Sequence, residues 1–128
     1  MRCLLDTHIL LWAVSAPDRI AVDSLAMLRD PTTSLVFSAA SIWEVAIKNA
    51  LDRADFRVDP RKLRDGLLRN GYTELAIRSE HAIAAGALPA IHTDPFDRML
   101  VAQAQMEGIT LLTNDNQVAD YPGPIQSV

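Results

Sequence analysis

The 128-residue chain is predicted to fold as a single α/β domain (residues 1–128) in which a mostly parallel sheet carries helices on both faces. Two observations predict this class. Short apolar runs that suit buried strands alternate along the chain with longer segments of helical periodicity. The length and a hydrophobic fraction of 49% suit one core of ordinary size, because two half-length domains would each have a thin core.

The first half of the chain is predicted to contain two strands. A short buried strand covers residues 2–5, and an apolar helix over residues 7–14 follows it directly. A second helix spans residues 22–29 and ends before a proline, because the residue preceding proline disfavours helical geometry. Residues 34–37 form the second predicted strand.

The helix after the second strand is predicted to begin near the serines at 38 and 41 and to end at about residue 51. One face has the apolar spacing i, i+3, i+4 and i+8: Ile42, Val45, Ala46 and Ala50. A different face carries three polar residues: Ser41, Glu44 and Lys48. This interpretation places Glu44 in the first turn.

The second half of the chain is predicted to add three strands, at residues 73–77, 109–112 and 125–128. Three helices accompany them, over residues 60–69, 79–87 and 95–107. Asp59, Ser79 and Asp94 are the expected N-caps of these helices, because a side-chain oxygen at that position accepts from the first free backbone amides. Prolines directly after both aspartates suit a first helical position.

Four acidic residues recur where strands pass into helices: Asp6, Glu44, Asp97 and Asp115. In a parallel sheet flanked by helices, ligands bind beyond the carboxyl ends of the strands, so the four acids are expected to meet at that edge. Carboxylates packed together without a cation repel one another. Mg²⁺ prefers oxygen ligands of this kind, and a carboxylate metal site is therefore one interpretation of the pattern.

Each acid also has a structural alternative, which the spacing alone leaves open. Asp6 can cap the first helix, and Ser41 with Glu44 fits a capping box. Glu44 also precedes Lys48 by four residues, the spacing of a helical ion pair. The other two acids suit the start of a helix and a turn.

Composition and motifs disfavour several other chemistries. Cys3 is the only cysteine, which leaves neither a disulfide nor a thiolate metal cage and fits a reducing cytoplasm. His8, His81 and His92 have no zinc-binding spacing and are expected at the surface or in local hydrogen bonds. The sequence contains no serine or cysteine nucleophile motif, no Walker A loop and no GxGxxG.

Charge and hydropathy bound the partners of the protein. The net charge of −4 argues against a surface that grips nucleic acid throughout, although a metal can supply positive charge where a phosphate must lie. No stretch approaches the roughly 18 apolar residues of a membrane span. Asp6 and His8 interrupt the apolar run that a secretion signal would need, so no such signal is expected.

Four segments resemble PIN-domain proteins, and in particular the VapC-type toxins of bacterial toxin–antitoxin pairs: residues 4–8, 38–48, 92–104 and 112–115. The likeness extends over essentially the whole chain, in order and with similar gaps. The resemblance implies a three-layer α/β/α sandwich and a Mg²⁺-dependent endoribonuclease, with Mn²⁺ able to substitute. It also implies inhibition by a small cognate antitoxin, a homodimer and a toxin–antitoxin hetero-oligomer.

The same resemblance implies roles for individual residues. The acids expected to bind metal and to take part in hydrolysis by metal-activated water are Asp6, Glu44, Asp97 and, as a more variable fourth, Asp115. Small polar residues would orient the acids or waters: Thr7, Ser41 and Thr113. Arg98 and Lys48 lie beside the acids in sequence and would meet phosphate or pair with a carboxylate. Asp94 is interpreted first as an N-cap.

Two competing functions remain open at this point. A PIN-like module that binds RNA or a protein without cutting is the main alternative. A phosphatase or receiver domain fits less well, because His8 stands where the phosphatase pattern has its second aspartate.

Overall fold

Five strands form one sheet in the part of the chain that the computed structural model describes, residues 1–51 and 58–128. They are β1 (Arg2–Leu5), β2 (Ser34–Ser38), β3 (Thr73–Leu75), β4 (Thr110–Thr113) and β5 (Ile125–Ser127). Their order across the sheet is β3-β2-β1-β4-β5, and all neighbouring pairs are parallel. The first strand therefore lies at the centre, hydrogen-bonded to β2 on one side and to β4 on the other.

Seven α-helices connect or follow these strands within the same residues: α1 (Thr7–Ser15), α2 (Val22–Arg29), α3 (Ala39–Ala50), α4 (Pro60–Arg69), α5 (Ser79–Ala87), α6 (Pro95–Glu107) and α7 (Asn116–Ala119). A short 3-10 turn lies at Pro17–Arg19. Parallel neighbours require long crossover connections, which these helices supply. Within residues 1–51 and 58–128, no helix has the length and apolar composition that a transmembrane span requires.

Alternate residues of the central strands pack into two separate cores, because successive strand side chains point to opposite faces of a sheet. Leu5 and Phe37 pack on one face with buried residues of α1, α2, α3 and α4. Leu4 and Val36 pack on the other face with buried residues of α6 and α7, and α5 packs against α6. Helices thus cover both faces, which confirms the predicted α/β/α architecture with its parallel sheet.

The start of α3 differs from the sequence prediction. Ser38, the last residue of β2, caps the helix by accepting from a backbone amide of its first turn. Ser41 is consequently inside the helix and Glu44 lies in its second turn, so the predicted Ser41–Glu44 capping box is wrong. Val45 is buried as expected, but Ala50 is exposed, and the buried face includes both Ser41 and Glu44.

The predicted cap of α5 is also wrong, because Ser79 is the first residue of that helix rather than its N-cap. The backbone N–H of Arg78 instead donates to Nδ1 of His81, at 3.0 Å. His81 is fully buried, and its Nε2 lies 3.1 Å from Oε1 of Glu107. Its predicted role in local hydrogen bonding is thereby confirmed, and the contact fastens α5 to the end of α6.

Another buried polar residue fixes α6 to the sheet. Gln103 is fully buried, and its Oε1 accepts from the Ser38 hydroxyl at 2.6 Å. Its Nε2 donates to the carbonyl oxygen of Ala76, at 3.4 Å. Since Ser38 ends β2 and Ala76 follows β3, this side chain holds α6 against the carboxyl ends of two strands.

Candidate metal centre

Asp6 occupies the carboxyl end of the central strand and is 4% exposed. Its backbone N–H donates to the carbonyl oxygen of Leu112 in β4, which extends the pairing of β1 by one residue. Its Oδ1 caps α1 by accepting from the N–H of Ile9 at 2.9 Å, and its Oδ2 accepts from the Thr113 hydroxyl at 2.6 Å. Burial raises the pKa of Asp6, although these hydrogen bonds oppose the rise.

Glu44 is also 4% exposed, and it contacts Thr7, the residue that follows Asp6. The Thr7 hydroxyl donates to Oε1 of Glu44 at 2.7 Å and lies 3.0 Å from the Ser41 hydroxyl. Lys48, one helical turn later, donates to Oε2 of Glu44 at 2.7 Å. The predicted ion pair between Glu44 and Lys48 is thus confirmed, and both oxygens of this carboxylate have a partner.

Asp97 lies at the start of α6 among other acids. Its pKa is raised to about 7, first by burial and then by the carboxylates of Asp94, Asp6 and Glu44 in that order, while His92 lowers it. Three of the four predicted site acids therefore lie close enough to interact through their charges. Asp94 caps α6 as expected, since its Oδ1 accepts from the backbone N–H of Phe96 at 2.8 Å and of Asp97 at 3.3 Å.

The fourth predicted acid, Asp115, joins this cluster through a histidine. Nε2 of His92 lies 2.9 Å from Oδ2 of Asp97 and 3.4 Å from Oδ2 of Asp115. Asp115 also caps α7, because its Oδ1 accepts from the N–H of Gln117 at 2.8 Å. Its own backbone N–H donates to the hydroxyl of Thr113 at 3.0 Å, the same hydroxyl that holds Asp6.

The sequence predicted only a surface position or a local hydrogen bond for His92 and did not include it in the metal site. It stands five residues before Asp97, a spacing that matches neither a helical face nor a known metal motif. In the described residues, the group whose ligand atoms all lie within 4.8 Å of one another comprises His92, Asp94 and Asp97. Only Asp97 belongs both to this group and to the predicted four.

Arg98 has a structural role that the sequence did not suggest. Its guanidinium donates to four backbone carbonyl oxygens and one hydroxyl, those of Ala85, Leu88, Pro89, His92 and Tyr121. These bonds hold the loop between α5 and α6 against the first turn of α6. The expected contact of Arg98 with a phosphate or carboxylate is replaced by this set of backbone contacts.

The side chains of the cluster fit a hard divalent cation. They are mainly carboxylates, the ligands that Mg²⁺ and Mn²⁺ prefer. The raised pKa of Asp97 shows that its negative charge is opposed by its surroundings, a conflict that a bound cation relieves. Hydroxyl and backbone donors already fix the orientation of Asp6 and Glu44, as the outer contacts of metal ligands do.

Comparison with known proteins shows the family and the fold. The family model of the PIN domain matches residues 3–124. Among solved structures, VapBC2 from Rickettsia felis bound to a promoter DNA fragment aligns with a TM-score of 0.72 and 14% identity, over 99% of this chain and 98% of that one. DNA-bound VapBC from Salmonella typhimurium aligns with a TM-score of 0.68 and 16% identity, over the same shares of the two chains.

VapBC-1 from nontypeable Haemophilus influenzae has a TM-score of 0.63 and 18% identity, again over 99% and 98% of the two chains. No curated protein matches the chain. At such low identity, the structural alignments show that these proteins share a fold with this chain. The PIN family model, by contrast, matches nearly the whole sequence. The chain therefore belongs to the PIN domain family.

Proposed function

We propose that this protein is a Mg²⁺-dependent endoribonuclease and the toxin of a toxin–antitoxin pair. Membership of the PIN family supports a nuclease, and one feature of the site carries the proposal. Asp97 is surrounded by Asp94, Asp6 and Glu44, and its pKa is raised to about 7. A protein that never bound a cation there would gain nothing from this repulsion.

The acids divide the work of the proposed site. Asp6, Asp97 and Glu44 would hold one or two Mg²⁺ ions, partly through water, and Mn²⁺ would substitute. When bound, the ion supplies a Lewis acid that acidifies a water and offsets the charge of the scissile phosphate. Asp115, whose side chain is 38% exposed, would orient the attacking water. Hydrolysis by water leaves 5′-phosphate and 3′-hydroxyl ends.

The proposal is tested by incubating total cellular RNA with purified, antitoxin-free protein in Mg²⁺, in Mn²⁺ and in chelator. Asp97→Asn keeps the shape of the side chain and removes its charge, and Asp65→Asn, in an exposed residue of α4, is the matched control. We expect metal-dependent cleavage by the wild type and the control alone. Products with 2′,3′-cyclic phosphate ends would contradict hydrolysis, since that product forms without an activated water.

A small cognate antitoxin is the proposed protein partner. The aligned structures from Rickettsia felis, Salmonella typhimurium and Haemophilus influenzae are VapBC proteins, and another aligned structure, from Klebsiella pneumoniae, is described as a toxin–antitoxin complex. In this chain α3 and its C-cap expose three large apolar side chains at i, i+4 and i+8: Trp43, Ile47 and Leu51. Such a stripe supports a protein interface, with a second copy in a homodimer or with the antitoxin.

The charge of the site also bears on inhibition. An antitoxin lysine or arginine that reached the acid cluster would relieve the same repulsion as a cation, and we expect such a contact. Replacing that residue without loss of inhibition would contradict it. The complex is expected to be cytoplasmic.

The alternative function is a PIN module that binds RNA or a partner without catalysis. One observation favours it: Asp6, Asp94 and Asp115 all cap helices, so these acids also serve the fold. RNA binding by the wild type that persists in chelator, with no cleavage in either metal, would establish this alternative.

A further inference from the structure

The inference concerns His92, which lies in the loop before α6 and has a role in neither the predicted site nor the proposed mechanism. Its Nε2 is 2.9 Å from Oδ2 of Asp97 and 3.4 Å from Oδ2 of Asp115. One ring nitrogen therefore lies between two of the proposed site acids. The His92 side chain is 15% exposed, so most of it is enclosed by the protein.

The hydrogen bonds of the ring identify the atom that carries the proton. The backbone N–H of Thr93 donates to Nδ1 of His92, at 3.1 Å. A nitrogen that accepts a hydrogen bond carries no proton, so the proton of the neutral ring is on Nε2. In this tautomer Nε2 donates to Asp97, so the ring has no free lone pair for a metal ion, although His92 belongs by distance to the group with Asp94 and Asp97.

The backbone of His92 is itself held in place. Its N–H donates to the hydroxyl oxygen of Tyr121 at 2.8 Å, and its carbonyl oxygen accepts from that hydroxyl and from Nη1 of Arg98, both at 3.2 Å. Tyr121 is 3% exposed. The backbone from which the ring extends is thus held by two residues from other parts of the fold.

We propose that His92 is a positioning residue for the metal centre: its Nε2–H holds Oδ2 of Asp97 and keeps Asp115 beside it, which fixes the orientation of the Asp97 carboxylate that would hold the cation. The inference rests on the proposed function only in assuming that a divalent cation binds at this cluster. If the Nε2–H of His92 is removed, the Asp97 carboxylate is free to rotate. The carboxylates of Asp97 and Asp115 then also lose the hydrogen-bond donor that lies between them. Loss of a partner that orients a metal ligand typically weakens metal binding about 10- to 100-fold.

The test measures Mn²⁺ binding to the full chain by calorimetry, with His92→Leu, His92→Gln and Tyr121→Phe beside the wild type. Leucine removes the donor, whereas the glutamine amide nitrogen lies near the position of Nε2 and retains it. We expect His92→Leu to weaken Mn²⁺ binding about 10- to 100-fold and His92→Gln to restore most of the affinity. Tyr121→Phe should weaken binding less, because it only loosens the backbone of His92. Urea denaturation of each variant without metal checks that the fold is retained.

Electron spin-echo spectroscopy of bound Mn²⁺ separates this role from direct ligation. We expect no directly coordinated nitrogen in the wild type, and detection of one would overturn the proposal by making His92 a ligand. Unchanged affinity in a folded His92→Leu variant would overturn it too, and so would weak binding that glutamine fails to restore. A wild type that binds no Mn²⁺ would refute both this inference and the proposed metal dependence. Mn²⁺ binding that depends on His92, without RNA cleavage, would refute the endoribonuclease function alone.

Discussion

Replacing Asp97 by asparagine is expected to stabilise the metal-free protein. The pKa of this carboxyl is about 7 in the fold, because of burial and the charges of Asp94, Asp6 and Glu44. Its ordinary value is about 3.9, and each factor of ten in proton affinity is worth about 1.4 kcal/mol, so the charged form costs up to about 4 kcal/mol. Asparagine removes this cost and keeps an oxygen that accepts from His92. We therefore expect a gain of about 2 to 4 kcal/mol at pH 8.

The gain should depend on pH with a definite sign. The folded protein binds the Asp97 proton more tightly than the unfolded chain, so its stability falls as pH rises from about 4 to about 7 and is constant above that. The advantage of Asp97→Asn should accordingly be only about 1 kcal/mol at pH 5. Metal should offset most of the difference at pH 8, because a cation that binds only the folded wild type at 100 times its Kd adds about 2.7 kcal/mol.

Urea denaturation in chelator at pH 5 and pH 8 measures these differences, with Asp65→Asn as the control for removing an exposed carboxylate. The control should change stability by less than about 0.5 kcal/mol at both pH values. An asparagine variant no more stable than wild type at pH 8 would refute the electrostatic reasoning. An equal gain at both pH values would assign the effect to something other than the charge of Asp97.

Three further changes test the contacts that support the site. Arg98→Met should destabilise the protein by about 3 kcal/mol or more, because it leaves several partly buried carbonyl oxygens without a donor; a loss below about 1 kcal/mol in urea denaturation would contradict that role. Gln103→Leu should cost about 1 to 3 kcal/mol, and a double-mutant cycle with Ser38→Ala should show coupling of about 1 kcal/mol. Asp94→Ala should lower the free energy of unfolding by about 1 kcal/mol, and Asp94→Ser should restore most of it, because serine also caps helices. The same two substitutions at Asp59, which caps α4 before a proline, should have the same effects on stability. Calorimetry with Mn²⁺ then separates the two sites, since only the Asp94 variants should lose metal affinity if this acid assists the centre.

The parallel sheet could be predicted because its strands are short, apolar and separated by strongly periodic helices. β1 has the predicted bounds, and β2 and β4 differ from prediction by one residue. The short helix α7, by contrast, was not predicted. It has only four residues, too few to establish a helical period, and its first residues read as a turn. β3 is two residues shorter than the predicted strand over residues 73–77, which continued to the exposed Ile77.

The grouping of the acids could be predicted where the strand topology determines which residues meet, and the contacts made by a loop could not. Asp6 and Asp115 follow neighbouring strands β1 and β4, so the topology alone brings them to one edge. Arg98 follows Asp97 directly, yet consecutive helical residues point about 100° apart, and its side chain therefore turns to the loop before α6. His92 reaches the acids from the loop before α6, whose backbone is hydrogen-bonded to Tyr121 and Arg98, and no local sequence pattern encodes these contacts.

The capping and metal-binding interpretations of the acids, which the sequence presented as alternatives, are compatible in the structure. Asp6 and Asp115 each use Oδ1 to cap a helix, and each presents Oδ2 to another side chain of the cluster. A cap fixes the rotamer of the carboxylate, because the accepting oxygen must stay near the first free amides. The start of a helix therefore supplies at no further conformational cost the fixed carboxylates that a metal centre requires. Asp97, which caps nothing, is held instead by His92, and it is the acid whose charge the fold opposes most clearly.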